Sequence, residues 1–199
     1  MKKVFLFVVT SVIVSSCTVA YRRNVPLELG LENTTTLTSY LDENKVAYDV
    51  KDLATLDHIT SWIYFNNNKM LSVPEAYFYN KDGFRITEDF KGDRCGAAIS
   101  GIDKINSYKF DSNDSLNKWM ADYLVFPFTQ ENVFEHAYDG YVVIFYGKVF
   151  SKYKTNPTSF NWYNRLKENK NIKTILLNID LQDNWEITAE QKKALGLEI

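Results

Sequence analysis

The fold of this chain depends on the run Tyr141-Val142-Val143-Ile144-Phe145-Tyr146, which is continuously apolar. Such a run is typical of a strand that is buried on both faces. A second run of this kind, from Lys173 to Asp180, follows after a helical pattern that begins near Ser159. Strand, helix and strand in this spacing predict a βαβ unit whose two strands lie parallel.

A β-hairpin is predicted upstream of this unit. Two β-prone runs, from Val73 to Tyr79 and from Phe84 to Thr87, flank the sequence Asn80-Lys81-Asp82-Gly83. An Asp-Gly pair between such runs favours a tight turn, because glycine adopts positive φ without steric cost.

Apolar residues at helical spacing predict further helices, and one more run predicts a strand. Short helices are expected after Thr34-Thr35-Thr36 and from Thr188 to Leu195. A third helix is expected after a cap at Asp52, with an apolar face made of Leu53, Leu56, Ile59 and Ile63. A fourth is expected after a cap at Asp114 or Ser112, with an apolar face made of Leu116, Trp119, Met120 and Tyr123. The additional strand is expected at Val46–Val50.

These units together resemble pieces of the thioredoxin fold. Tyr141 to Asp180 looks like its opening strand, helix and strand, and Val73-Pro74 with the following hairpin looks like its Pro-led hairpin, in which the proline is cis. The resemblance implies an α/β fold with a mixed sheet flanked by helices. Because the hairpin precedes the βαβ unit here, either the strand order is rearranged or one match is a chance similarity. The family's Cys-x-x-Cys is missing from residues 147–154, so the resemblance implies a fold and no catalytic residue.

The first residues have the features of a secretory leader. Lys2 and Lys3 precede an apolar run, Val4 to Val14, that is too short to span a membrane. Val14-Ser15-Ser16-Cys17 resembles the bacterial lipobox. That resemblance implies a diacylglyceryl group on Cys17, removal of the preceding residues and acylation of the new amino terminus. We therefore expect a signal peptide at 1–16, a lipidated tether at 17–33 and a single domain at 34–199.

The resemblance to the lipobox implies a bacterial, Bacteroidota-like lipoprotein of the cell envelope. Several acyl chains would make the membrane attachment effectively permanent. Thr18 stands where many inner-membrane lipoproteins have Asp, and no acidic run follows to indicate export to the cell surface. We expect an outer-membrane anchor with the domain facing the periplasm.

Composition narrows the function classes. The chain has 23 Lys and Arg against 25 Asp and Glu, for a net charge of −2, and contains no long basic run. Nucleic-acid binding is disfavoured, because neutralising phosphates requires concentrated Lys and Arg. With only 8 glycines and no phosphate-cradling loop, nucleotide enzymes are disfavoured as well.

Cys95 is the one conventional nucleophile candidate. Arg94 beside it would favour the reactive thiolate, and a helix that opens at Gly96 would add its dipole. With Cys17 lipidated, however, the chain offers no resolving cysteine and no intramolecular disulfide. A buried and inert thiol is the interpretation we favour.

Metal and cofactor sites are not expected. His58 and His136 lie far apart and lack the spacing of zinc ligands, although each has acidic neighbours. Residues 111–122 begin like a calcium loop, but Leu116 stands at the sixth position, where the sharp turn requires glycine.

Three functions stay open at this point. We favour a non-catalytic module that binds an envelope protein, in an accessory or immunity-type role. A thiol-dependent redox protein using Cys95 is the first alternative. The second is glycan binding through exposed aromatic rings at Trp162, Tyr163 or Trp185.

Overall fold

The computed structural model describes residues 29–88, 93–129 and 137–197. The leader, Cys17 and His136 lie outside these ranges. Among the described residues, no helix has the length and apolar character needed to cross a membrane.

The described residues form a mixed α/β structure. Its strands are β1 (Leu31–Glu32), β2 (Leu53–Leu56), β3 (Glu75–Asn80), β4 (Phe84–Ile86), β5 (Phe110–Ser115), β6 (Leu124–Val125), β7 (Gly140–Tyr146), β8 (Ile172–Asn178) and β9 (Leu181–Gln182). Its α-helices are α1 (Thr34–Glu43), α2 (Ile59–Asn67), α3 (Asp93–Ser100), α4 (Leu116–Tyr123), α5 (Asn156–Lys167) and α6 (Ala189–Ala194). Short 3-10 helices cover Val50–Asp52, Ile102–Ser107 and Lys148–Tyr153.

The main sheet has seven strands in the order β5-β4-β3-β7-β8-β2-β6. The three strands β7, β8 and β2 are parallel, whereas β3, β4, β5 and β6 pair antiparallel with their neighbours. β1 and β9 pair in parallel as a separate two-stranded sheet. Leu31–Glu32, which falls within the range expected to be tether, is thereby attached to the chain near its end.

Helices cover both faces of the main sheet. Trp62 of α2 and Trp119 of α4 belong to the core cluster on one face, and Leu41 of α1, Ile99 of α3 and Phe160 of α5 belong to the cluster on the other. All seven residues of β7 are buried. The continuous apolar run at 141–146 is explained by this position between two helical layers.

Both decisive predictions are confirmed in the structure. β7, α5 and β8 form the βαβ unit, with Val143 opposite Ile175 in a parallel register. β3 and β4 form the hairpin, in which the Asn80 side chain accepts hydrogen bonds from the backbone of Asp82 and Phe84 and Gly83 has φ of 77°. The Val73–Pro74 peptide bond is cis.

The prediction for residues 46–56 is wrong. The strand expected at Val46–Val50 does not form, and Leu53–Leu56 is strand β2 instead of the start of a helix. All four residues of β2 are buried because β8 and β6 flank it in the sheet. A short run buried all round has no strand period, so it resembles part of a helix. Helix α2 begins only at Ile59, and Asp52 instead accepts hydrogen bonds from Tyr163 and Lys173.

The cap expected at Asp114 or Ser112 is also corrected. α4 begins at Leu116, and Ser115 is its N-cap, whose hydroxyl accepts a hydrogen bond from the backbone N of Lys118. Residues 110–115 form β5, so the acidic stretch that resembled a calcium loop is part of the sheet.

Two buried tyrosines on this framework should respond differently to loss of their hydroxyl groups. The Tyr79 hydroxyl is buried and has no hydrogen-bond partner among the described residues, whereas that of Tyr163 donates to Asp52 at 2.8 Å. Removing a buried hydroxyl that has no hydrogen bond is neutral or stabilising for the fold. Removing one that is hydrogen-bonded leaves its buried partner without that bond. We expect Tyr79→Phe to leave the free energy of unfolding unchanged or raise it by about 1 kcal/mol, and Tyr163→Phe to lower it by about 1–3 kcal/mol. Urea unfolding of both variants tests this; a larger loss for Tyr79→Phe would contradict it.

Candidate functional site

Cys95 lies in the interior of the structure. It is 0% exposed and belongs to the core cluster that α3 and α5 form against the sheet. Helix α3 spans Asp93–Ser100, so Gly96 lies inside this helix and does not open it, contrary to the expectation from the sequence. A thiol in this position is closed to a protein substrate.

His58 belongs to no metal site among the described residues, and His136 lies outside them. His58 is the N-cap residue of α2, and its Nδ1 lies 2.9 Å from Oδ2 of Asp57. Its side chain is 66% exposed. No group of three or more His, Cys, Asp or Glu side chains suited to a metal ion occurs among the described residues.

The aromatic rings expected to be exposed are buried. Trp162 and Trp185 are each 8% exposed and Tyr163 is 0% exposed. The prediction of an exposed platform at these residues is wrong, because α5 turns Trp162 and Tyr163 toward the core and Trp185 packs into the opposite cluster.

A buried polar network occupies the position that follows β7, where the resembled family has its cysteines. Asp180, 3% exposed, accepts hydrogen bonds from the backbone N of Lys148 at 2.7 Å, from that of Val149 at 3.1 Å and from the Asn178 side chain at 2.8 Å. The side-chain amide of Asn156 bonds both the N–H and the C=O of Gly147. These contacts fix the 3-10 helix Lys148–Tyr153 at the carboxyl ends of β7 and β8.

The same network holds the amino-terminal strand. Nζ of Lys148 lies 2.6 Å from Oε2 of Glu32 in β1, and the Asn33 side chain donates to Asp183 at 2.9 Å. The polar groups of this network bond to one another. Its chemistry is therefore structural: it attaches β1 and the loop after β7 to the core.

Asp180 should make stability depend on pH. Burial raises the pKa of its carboxyl, outweighing the hydrogen bonds from Asn178, Lys148 and Val149 that lower it. The folded protein therefore keeps the Asp180 proton to higher pH than the unfolded chain, in which Asp has a pKa of about 3.9. The contribution of Asp180 to the free energy of unfolding is fully present below the pKa of the unfolded chain. It is lost as pH rises through the higher pKa of the folded protein.

Asparagine cannot titrate, so a comparison with Asp180→Asn isolates this effect. We expect the stability advantage of the wild type over Asp180→Asn to shrink between pH 4 and pH 7. Urea unfolding at several pH values measures it, and an advantage that grows with pH would contradict the assignment.

An open groove lies beside strands β3, β4 and β5 of the main sheet, and we name it the Arg85 groove. Its wider compartment has a volume of about 580 Å³ and is lined by Lys69, Met70, Glu75, Arg85, Glu88, Asp111 and Asp114, among others. Its narrower compartment has a volume of about 210 Å³ and is lined by Tyr64, Lys118, Trp119, Asp122 and Tyr123, among others. Met70, Arg85 and Asp114 line both compartments, which are therefore adjacent. The volume of the wider compartment is within the range typical of ligand pockets.

Arg85 contacts Tyr77 and Asp114 where the compartments meet. Its guanidinium carbon lies 3.6 Å from the centre of the Tyr77 ring, and Nη1 lies 3.4 Å from Oδ2 of Asp114. Burial acts to lower the pKa of Arg85, but its electrostatic interactions with Tyr79, Tyr77 and Asp114 raise it overall. Arg85 therefore stays charged, with a planar set of donors at a fixed position.

Aromatic rings wall the narrower compartment. Tyr64 is 44% exposed and stacks on Tyr123, with ring centres 5.1 Å apart and planes 9° apart. Trp119 packs edge-on against Tyr123 at 6.3 Å. The parallel pair presents a flat apolar surface beside the charged groups of Arg85 and Asp122.

The sequence analysis did not find this groove. Its residues come from α2, β3, β4, β5 and α4, so they meet only in the folded chain. One signal was present: Arg85 lies two residues after the Asp-Gly pair of the turn, and the hairpin register places it opposite Tyr79 and on the same side as Tyr77. An arginine inside an aromatic hairpin indicates a cation–π contact.

Comparison of the chain with protein-family models, with curated proteins and with solved structures gave no match.

Proposed function

We propose that this chain is a lipid-anchored envelope protein whose domain binds a protein partner through the Arg85 groove and catalyses no reaction. The observation that carries the proposal is the composition of the groove. Tyr, Trp, Met and Arg are enriched in the cores of protein interfaces, and Trp, Tyr and Arg dominate binding energy there. Tyr64, Trp119, Met70 and Arg85 meet in one open groove.

Burial of the candidate nucleophile favours binding over catalysis. Cys95 is enclosed by the core, and the loop after β7 holds a structural network where a redox enzyme of the resembled family would hold cysteines. The Arg85 groove has no histidine, cysteine or metal cluster among its described lining residues.

The fold we propose is thioredoxin-like with a rearranged chain order. What supports it is the single sheet that contains both matching pieces. The hairpin strand β3 lies antiparallel beside β7, which is the first strand of the βαβ unit, although the hairpin comes earlier in the chain.

The anchor is proposed at Cys17, in the outer membrane and facing the periplasm. Metabolic labelling with palmitate tests it: the wild-type chain should incorporate label, and Cys17→Ala should lose the label and leave the membrane fraction. Label that persists in Cys17→Ala would contradict the anchor.

The choice between binding and thiol chemistry is tested by co-purification. The tagged, lipidated chain is cross-linked in cells, and the partner is compared between wild type, Cys95→Ser and Tyr64→Ala. We expect the partner to persist with Cys95→Ser and to be lost with Tyr64→Ala. Loss with Cys95→Ser and retention with Tyr64→Ala would favour the thiol-dependent alternative.

A further inference from the structure

The amino-terminal part of the described chain is attached at one end of the main sheet. β1 pairs with β9, which follows the carboxyl end of β8. Oε2 of Glu32 in β1 lies 2.6 Å from Nζ of Lys148, the second residue after β7. Leu29 packs against the core cluster to which α2 and α4 contribute. The chain therefore enters the folded domain at the carboxyl ends of β7 and β8, on the face that α2 and α4 cover.

The Arg85 groove lies at the same end of the sheet and on the same face. β3 runs antiparallel to β7 with Glu75 opposite Phe145, so β3 begins at the carboxyl end of β7. The first residues of β3 and Thr87, which follows β4, line the wider compartment. Met70 also lines it and packs against the same core cluster as Leu29. Only β7 separates β3 from β8, so two strand spacings, about 10 Å, lie between the groove and the strand that leads into β9.

A lipid on Cys17 would hold this end of the sheet close to the bilayer. Eleven residues, 18–28, separate Cys17 from Leu29. An extended chain spans at most about 3.6 Å per residue, so Leu29 stays within about 40 Å of the anchored cysteine. β7 has seven residues, so its amino end lies roughly 20 Å beyond the end of the sheet that carries the groove. Because the bilayer excludes the body of the domain, the end with the tether and the groove faces the membrane.

We propose that the occupant of the Arg85 groove is a juxtamembrane segment of a protein that spans the same membrane, and that an aromatic side chain of this segment enters the narrower compartment. Trp and Tyr are enriched where membrane-spanning segments meet water. The Tyr64 ring is exposed and stacks on Tyr123, so it offers a flat surface for such a side chain, and Arg85 lines the same compartment. Aromatic rings pack favourably on one another and on guanidinium groups. This inference rests on the proposed function and adds the place and the chemistry of the partner.

Two other occupants fit the groove less well. Glu88 and Asp111 line the wider compartment and are exposed. Carboxylates resist transfer from water into an apolar environment, so the groove is unsuited to insertion into the bilayer itself. The bilayer also obstructs the approach of a soluble protein to this end of the domain, whereas a segment that emerges from the membrane meets it directly.

Energy transfer in vesicles tests the orientation without the partner. The lipidated protein is inserted into vesicles of phosphatidylethanolamine and phosphatidylglycerol that carry an acceptor dye on their headgroups. A donor dye is attached to Lys109→Cys or to Lys170→Cys, each combined with Cys95→Ser. Lys109 lies at the groove end, where its carbonyl accepts a hydrogen bond from the backbone N of Thr87, and Lys170 lies before β8 at the opposite end.

The two labelled positions are matched, because both replace an exposed lysine. They differ by roughly 15 Å along the strand direction, so transfer from position 109 should exceed that from position 170 about twofold or more. Equal transfer from the two positions, or more from position 170, would overturn the proposal.

Mapping of a cross-link identifies the occupant. A photoreactive amino acid replaces Lys118 in the narrower compartment or, as the control, Lys170 at the opposite end of the sheet, and the full chain is cross-linked in cells. We expect Lys118 to give a product that stays in the membranes after an alkaline carbonate wash, and Lys170 to give none. The cross-linked residue of the partner should lie within about 12 residues of a membrane-spanning segment, which is the extended reach of about 40 Å.

The outcomes separate this inference from the function on which it rests. A partner that cross-links to Lys118 but is released by carbonate as a soluble protein would overturn the membrane-spanning partner and leave protein binding in place. The same holds for a cross-link far from any membrane-spanning segment. A product that contains lipid and no protein would overturn both and assign the groove to the bilayer surface. Absence of any product from Lys118 would also overturn both.

Discussion

Replacing Asp180 by alanine is expected to lower the free energy of unfolding by about 3–5 kcal/mol. The carboxylate accepts hydrogen bonds from two backbone N–H groups, those of Lys148 and Val149, and from the Asn178 side chain. Alanine would leave these donors buried and unsatisfied, each at a cost of about 1–3 kcal/mol. A domain is stable by only about 5–15 kcal/mol, so this loss would remove a large share of its stability.

Urea unfolding followed by tryptophan fluorescence measures this loss. Asp183→Ala is the matched control, because Asp183 accepts one exposed hydrogen bond from Asn33 and should cost about 1 kcal/mol or less. Asp180→Asn keeps one side-chain acceptor and should fall between the two. Equal losses for Asp180→Ala and Asp183→Ala would show that the network after β7 does not hold the loop.

Replacing Tyr64 by alanine is expected to weaken partner binding about 30-fold while the protein stays folded. Tyr64 is 44% exposed and contributes one face of the stacked pair with Tyr123, so its removal costs the fold little. Truncating an aromatic residue at the centre of an interface commonly costs about 2 kcal/mol or more of binding energy. That loss corresponds to a factor of about 30 in the dissociation constant.

A second exposed aromatic residue is the control for this prediction. Phe110 is 50% exposed and stacks on Phe84 outside the two compartments. Isothermal titration of the purified partner should show about the same affinity for Phe110→Ala as for wild type. If Phe110→Ala weakened binding and Tyr64→Ala did not, the interface would lie elsewhere on the sheet.

Those parts of the fold that carry a strong local signal could be predicted from the sequence. The runs at 141–146 and 173–180 are too apolar for a surface element, and Asp82-Gly83 fixes the hairpin turn. β2 could not be recognised, since its four buried residues have no strand period. β1, β6 and β9 have two residues each, and such short pairings leave no pattern.

The candidate site was less accessible to sequence reasoning. Reasoning by residue type led to Cys95, Trp162 and Trp185, and all three are buried. The Arg85 groove depends on the register of β3 with β4 and on where α2 and α4 lie over the sheet. Tertiary packing determines how these elements lie relative to one another. The spacing of residues along the sequence from 64 to 123 does not indicate that arrangement.

Part of the buried polar network around Asp180 could have been predicted from the sequence. Asn178 and Asp180 stand at the carboxyl end of β8, and Gly147 stands at the end of β7. Polar residues directly after parallel strands meet at one edge of a sheet. The partner from the amino-terminal part, Glu32, could not be foreseen, because its strand pairs with residues about 150 positions later.

Site-specific photocross-linking in cells tests most directly whether the Arg85 groove binds a partner. A photoreactive amino acid is placed at Lys118 and Asp111 on the groove, and at Glu43 on α1, which packs on the opposite face of the sheet. We predict one common cross-linked protein from Lys118 and Asp111 and none from Glu43. The same product from all three positions, or a product from Glu43 alone, would contradict the assignment of binding to the groove.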